Sequence, residues 1–249
     1  MKTVVGTEKV NTNEKYSLIY VEDPEKESNL SYGEIGFGSI RELELLKLML
    51  GENVSDVTIQ GLETRELLST NEYKWNYRNP TEAFNIARKI SMPNFVSEQL
   101  IITDQRIDKK LVHKEKQENV LLSVPINHGN VWYFKGFSEI AELNSDHPSD
   151  HVDGIKLFEA LRQATLASFH LNGMNHEGVV ALTNFRIDYI NYVELDQPYI
   201  IQTIPVCEPD GGAMYCVFNI IQNEKVVTSG FLGAYTFRSK EIYEEKRKK

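Results

Sequence analysis

The sequence predicts an α+β protein whose C-terminal half is an antiparallel sheet wrapped around one long central helix, preceded by a mixed α/β module whose fold it leaves open. Two observations lead there. A single helical segment, residues 154–171, runs unbroken and closes on Asn172-Gly173, a common helix stop. After it only strand-like segments follow, at residues 179–195, 199–206, 214–222 and 226–237. They are rich in Ile, Val, Tyr, Phe and Thr, and Pro209-Asp210-Gly211-Gly212 and Asn223-Glu224 mark turns between them. In the helix, Leu157, Phe158, Leu161, Ala164 and Thr165 form a stripe at helical spacing. Ile155, Leu166, Phe169 and Leu171 spread apolar surface further round the cylinder, as an enclosed helix requires.

Taken in order, residues 16–21 alternate as a strand. Gly33, Gly36 and Gly38 then lead to Ser39-Ile40-Arg41-Glu42, where Ser39 and Glu42 have capping-box spacing. A helix should run from there to about Leu50 and stop at Gly51. The glycine spacing fits neither a dinucleotide fingerprint nor a Walker loop, so these residues read as a plain loop. Residues 54–60 suggest a strand, and Asn79-Pro80-Thr81-Glu82 opens a short helix ending near Ile90. The charged run 104–110 makes a boundary. The expected organisation is therefore a module at 1–110, a domain at 111–238 and a charged tail at 239–249. Within the domain, strands at 120–126 and 131–134 flank the turn Asn127-His128-Gly129-Asn130.

With 249 residues the chain can bury a substantial core without staples. The two cysteines, Cys207 and Cys216, sit among apolar and turn residues and read as reduced thiols, which points to a reducing compartment, with a disulfide between them as the alternative. No apolar run approaches the ~20 residues that span a bilayer, so a cytoplasmic protein is expected. A net charge of −9 opposes nucleic-acid binding, and the basic cluster at 240–249 is interrupted by Glu241, Glu244 and Glu245.

Glu159 and Arg162 lie three residues apart on the apolar helix, where such a pair either satisfies itself or serves a ligand. Around them, 146–164 reads Asp-His-Pro-Ser-Asp-His-Val-Asp-Gly-Ile-Lys-Leu-Phe-Glu-Ala-Leu-Arg-Gln-Ala. This segment resembles the A-factor biosynthesis hotdog family, in which a D-H-x-P-G-type loop opens the central helix and E-A-x-R-Q follows on it. Val112-His113-Lys114 and Glu118-Asn119-Val120-Leu121-Leu122-Ser123 resemble the same family's first strand. The Gly154-to-Glu159 spacing is also similar to that of hotdog acyl-carrier dehydratases. The resemblance covers residues 111–237 and implies the hotdog fold, in which a sheet wraps a helix.

The resemblance implies an enzyme acting on fatty acyl thioesters. The best-known members join a β-ketoacyl chain from acyl carrier protein to a glycerol-type phosphate on the route to γ-butyrolactone signals. An acyl carrier protein or coenzyme A thioester and a phosphorylated acceptor are the implied partners, with no metal or other cofactor. Members usually carry two hotdog repeats, whereas residues 1–111 show no second copy of the helix motif, which leaves a degenerate copy or an unrelated module. Since related sites lie between two units, the chain should form a homodimer or an internal pseudo-dimer. The helix opens on Asp153-Gly154 and not Pro-Gly, and His147-Pro148 lies close to Gly154, which departs from the dehydratase arrangement.

Free backbone N–H groups near Gly154 and Ile155 can polarise a thioester carbonyl, and glycine permits close approach; equally, Gly154 can simply fit a tight helix start. Glu159 is either a general base or the partner of an intrahelical ion pair with Arg162. Arg162 can instead hold a phosphate or carboxylate, and Gln163 orients its neighbours. His151 is a candidate proton carrier. His147, His151, Asp146, Asp150 and Asp153 resemble a metal cluster in composition only, and Asp150 and Asp153 serve equally as helix caps. The competing functions are a hotdog dehydratase or thioesterase, and a non-catalytic subunit that binds an acyl chain or its carrier.

Overall fold

A computed structural model describes residues 14–21, 30–59, 76, 79–140, 142–143, 149–207 and 211–248. The first elements are β1 (Tyr16–Tyr20), β2 (Glu34–Phe37), α1 (Ile40–Leu50) and β3 (Val54–Thr58), and the strands form a parallel sheet in the order β2-β1-β3. The helix α1 starts where the capping pattern places it. The Ser39 hydroxyl accepts the Glu42 N–H at 3.2 Å, and Glu42 Oε2 accepts the Gly38 N–H at 2.7 Å. It ends at Gly51, whose φ of 58° suits glycine.

Two short helices follow, α2 (Thr81–Ala87) and α3 (Asn94–Ile101). Asn79 Oδ1 accepts the Thr81 N–H at 3.1 Å ahead of α2. The sequence reading has no counterpart for α3, because eight residues give barely two turns of periodicity.

The larger sheet contains β4 (Ile126–His128), β5 (Val131–Gly136), β6 (Val179–Tyr189), β7 (Tyr199–Val206), β8 (Gly212–Gln222) and β9 (Lys225–Phe237), all antiparallel, in the order β4-β5-β7-β8-β9-β6. The long helix α4 (Gly154–Leu171) lies against one face, and α5 (Lys240–Arg247) occupies the charged tail. The strand expected at 120–126 shrinks to isolated bridges, Arg106 with Ser123 and Leu122 with Gly136, before β4. Its backbone is diverted: the Leu121 N–H donates to Gln163 Oε1 at 2.8 Å, and the Asn119 carbonyl accepts from Gln163 Nε2 at 2.9 Å.

The period-two rule sorts the central strands into two faces. Trp132, Phe134, Ile201, Phe218 and Ile220 join Leu157, Ala160, Leu161 and Ala164 of α4 in one core. Alternate residues Val131, Tyr133, Ile200, Ile204 and Val217 join a second core with Leu18, Phe37, Phe84 and Ile90. The N-terminal elements therefore cover the sheet face opposite α4, and β7 is buried at every position. That double coverage explains why these strands read as continuous apolar runs. At one edge, β6 has no neighbouring strand beyond it among the described residues, and Leu182, Phe185 and Tyr189 are exposed.

Candidate functional site

The beginning of α4 opens into a cavity of about 470 Å³ lined by His151, Gly154, Leu157, Tyr189, Tyr192 and their neighbours. Two backbone bonds hold the approach loop there: Val152 N–H to the Val193 carbonyl at 2.8 Å, and Leu195 N–H to the Asp150 carbonyl at 3.2 Å. The His151 ring packs against Tyr192 with centroids 4.6 Å apart, and its Nδ1 lies 2.8 Å from Asp150 Oδ1. That hydrogen bond holds the Asp150 carboxyl below the usual carboxylate range. The Tyr189 hydroxyl donates to the Gly154 carbonyl at 3.0 Å, and a Cβ on Gly154 would approach that hydroxyl to 3.4 Å. A small residue thus fits the contact. Asp153 is the capping residue by position but makes no side-chain cap; its carboxylate pairs with Lys156 at 3.3 Å. Ile155 is 59% exposed.

One and a half turns later the setting reverses. Arg162 grips Glu159 bidentately, Nε to Oε2 at 2.7 Å and Nη2 to Oε1 at 2.8 Å. Glu159 Oε1 also accepts from Gln163 Nε2 at 2.9 Å and pairs with Lys114 Nζ at 3.0 Å. Burial disfavours the charge, but Arg162, Gln163 and Lys114 outweigh it and hold the carboxyl down at about 2. Lys114 reaches Glu142 as well, at 2.5 Å, and Glu142 accepts from the Asn119 amide. Gln163 is fully buried and clamps residues 119 and 121 to the helix.

The structure thus divides the nominated residues. Asp150, His151, Gly154 and Ile155 stand at the helix start, and Glu159, Arg162 and Gln163 form a separate network whose members do not line the cavity. His147 lies outside the described residues. Among the described residues no group of three or more His, Cys, Asp or Glu side chains is arranged to hold a metal. Tyr189 and Tyr192 are 53% and 71% exposed beside the cavity, whereas Tyr199 and Tyr215 are buried. Sequence reasoning gave Lys114 and Glu142 no role. The adjacent Val112-His113-Lys114 motif was the available signal for Lys114, and Glu142 had none.

The A-factor biosynthesis hotdog domain model matches residues 98–237. A 2-oxo-3-(phosphooxy)propyl 3-oxoalkanoate synthase of Streptomyces virginiae is 33% identical over 88 residues, which are 35% of this chain and 28% of that protein. Among solved structures, the dehydratase heterocomplex ApeI:P of Xenorhabdus doucetiae is 18% identical over 58% of this chain and 98% of its own, with a TM-score of 0.46. A hypothetical thioesterase with coenzyme A from Streptococcus pneumoniae TIGR4 is 14% identical over 43% of this chain and 78% of its own, with a TM-score of 0.35. No helix of the described residues is long and apolar enough to cross a membrane. The helix-wrapping antiparallel sheet has the hotdog form, and with more than half of its length matched by the family model, the chain belongs to the A-factor biosynthesis hotdog domain family.

Proposed function

We propose that the protein is an acyltransferase that moves a β-ketoacyl group from a thioester, carried by acyl carrier protein or coenzyme A, to a hydroxyl of a glycerol-type phosphate. The observation that carries this reading is the Asp150–His151 pair beside a cavity at the start of α4. With Asp150 accepting a hydrogen bond from Nδ1–H, Nε2 of His151 is left as an acceptor that can take the proton of the attacking hydroxyl. The hydroxyl oxygen bonds to the thioester carbon while the first N–H groups of α4 stabilise the carbonyl oxygen. The C–S bond then breaks, and the proton passes from His151 to the departing thiolate.

In this reading Glu159 and Arg162 act at a distance, by fixing α4 against residues 114–121, because both partners are committed to each other. A dehydratase or thioesterase that needs Glu159 as a free base is less well supported, since a carboxyl held down at about 2 and bonded by three side chains is a weak proton acceptor. Cys207 and Cys216 are both free thiols, which suits a cytoplasmic location.

The site is completed, in the same proposal, by a second copy of the chain. The exposed apolar residues Ile155, Leu182, Phe185, Tyr189 and Tyr192 cluster on β6 and beside the start of α4, and among the described residues β6 is an unpaired sheet edge. Sedimentation analysis should find a dimer that Phe185→Lys converts to monomer; a monomeric wild type would overturn this part.

The reaction is tested by mass spectrometry of a β-ketoacyl thioester incubated with the protein, with and without dihydroxyacetone phosphate. A phosphorylated acyl ester formed by wild type and lost in His151→Ala is the expected result. Free acid or dehydrated thioester would replace the transferase reading with a hydrolase or dehydratase. Unchanged substrate despite tight thioester binding would favour a carrier-binding subunit.

A further inference from the structure

A histidine cluster lies at the other end of α4 from His151. His113 follows a short 3-10 turn (Lys109–Val112) and adopts a left-handed backbone, φ 54° and ψ 46°, which is costly for a residue with a side chain. Its Nε2 lies 2.9 Å from Nε2 of His170, which is only 6% exposed. Two ring nitrogens at that distance require one proton between them: two N–H groups repel, and so do two lone pairs. The other nitrogen of His170, Nδ1, faces the Met174 carbonyl at 3.3 Å. A carbonyl only accepts, so Nδ1 carries the hydrogen of neutral His170, its Nε2 is the bare acceptor, and His113 donates through Nε2–H.

We infer that His113 and His170 form a latch that holds the 109–121 segment against α4 while the two nitrogens share one proton, and releases it when both rings are protonated and their Nε2–H groups face each other. The inference rests on ring geometry and is independent of the acyl-transfer reading. Release would matter to α4 because Lys114, the residue after His113, bridges Glu159 and Glu142, and because Leu121 and Asn119 hang on Gln163.

The surroundings oppose these protons. Arg162 projects from α4 near His113, His176 stacks on His170 with centroids 5.3 Å apart, and Lys109, Lys110 and Lys114 lie on the latch segment itself. Glu159 and Glu142 are already paired with Arg162 and Lys114. Burial pushes both rings below the usual histidine range, His170 to about 4. The stabilisation from a depressed pKa is complete above the unfolded value of about 6.5 and is lost as pH falls through the folded one.

The test uses the full chain. Imidazole ¹⁵N spectra recorded from pH 7.5 downward should show His170 as the Nδ1–H tautomer, neutral well below pH 6.5, and His113 as Nε2–H, titrating below the usual histidine value. Hydrogen exchange should show the Lys114 and Leu121 amides losing protection as pH falls below that point, by up to about tenfold per pH unit for each proton taken up. His170→Gln and His113→Gln, two separate variants that cannot titrate, should each flatten this pH dependence; either one that folds suffices. A His170 that titrates at the usual value, or variants that retain the wild-type pH dependence, would overturn the latch.

Discussion

His151 and Glu159 stand just before and within the same helix, in opposite settings. The His151 side chain is 38% exposed, has one carboxylate partner and lines an open cavity. The Glu159 side chain is 13% exposed and is held by Arg162, Gln163 and Lys114. The densest sequence motif therefore marks the tightest part of the scaffold, because a buried charge needs several partners at fixed spacing to be tolerable. Chemistry needs the reverse: a polar group with an unused valence and room beside it.

The contrast can be broken most forcefully at Gln163. Gln163→Ala removes three hydrogen bonds and leaves the Leu121 N–H and Asn119 carbonyl without their partner, so denaturant unfolding should register a loss of about 3 kcal/mol. At the open end, His151→Ala should lower turnover by about 100-fold, about 2.7 kcal/mol of barrier, while the melting temperature stays at the wild-type value. A destabilised His151→Ala with proportionate activity loss would erase the distinction between the two ends.

Glu159→Gln keeps the shape and removes the charge. It should cost about 2 kcal/mol, because Arg162 and Lys114 lose their carboxylate while the amide keeps part of the hydrogen bonding. The wild-type advantage should be complete above about pH 4.5 and disappear as pH falls through about 2, since the folded carboxyl is the more acidic. Acid unfolding curves of the two proteins that remain parallel across that window would rule the charge out as the cause. Smallest of all, Tyr192→Ala removes an exposed ring from His151 and should weaken thioester binding by about threefold in a titration, with no measurable change in unfolding.

Much of this architecture was readable in one dimension. Ser39 and Glu42 marked the start of α1, Gly51 its end, and Asn172-Gly173 the end of α4, because capping and turn chemistry act over a few residues. The helix α3 escaped notice because two turns carry too little periodicity, and the strand expected after Val120 was displaced by a side chain 42 residues away. Asp153 illustrates a local rule that lost: its position suits a cap, but Lys156 takes the carboxylate.

Local patterning by itself determined the long helix, the strand-rich half and the placement of Glu159 and Arg162 on one helix face, since each depends on spacing within one segment. Only the tertiary structure decided that Lys114 completes that pair, that the N-terminal elements cover the outer sheet face, and that His151 shares a cavity with Tyr189 and Tyr192. These depend on contacts between residues tens of positions apart, and such contacts are set by how two apolar faces close on one sheet.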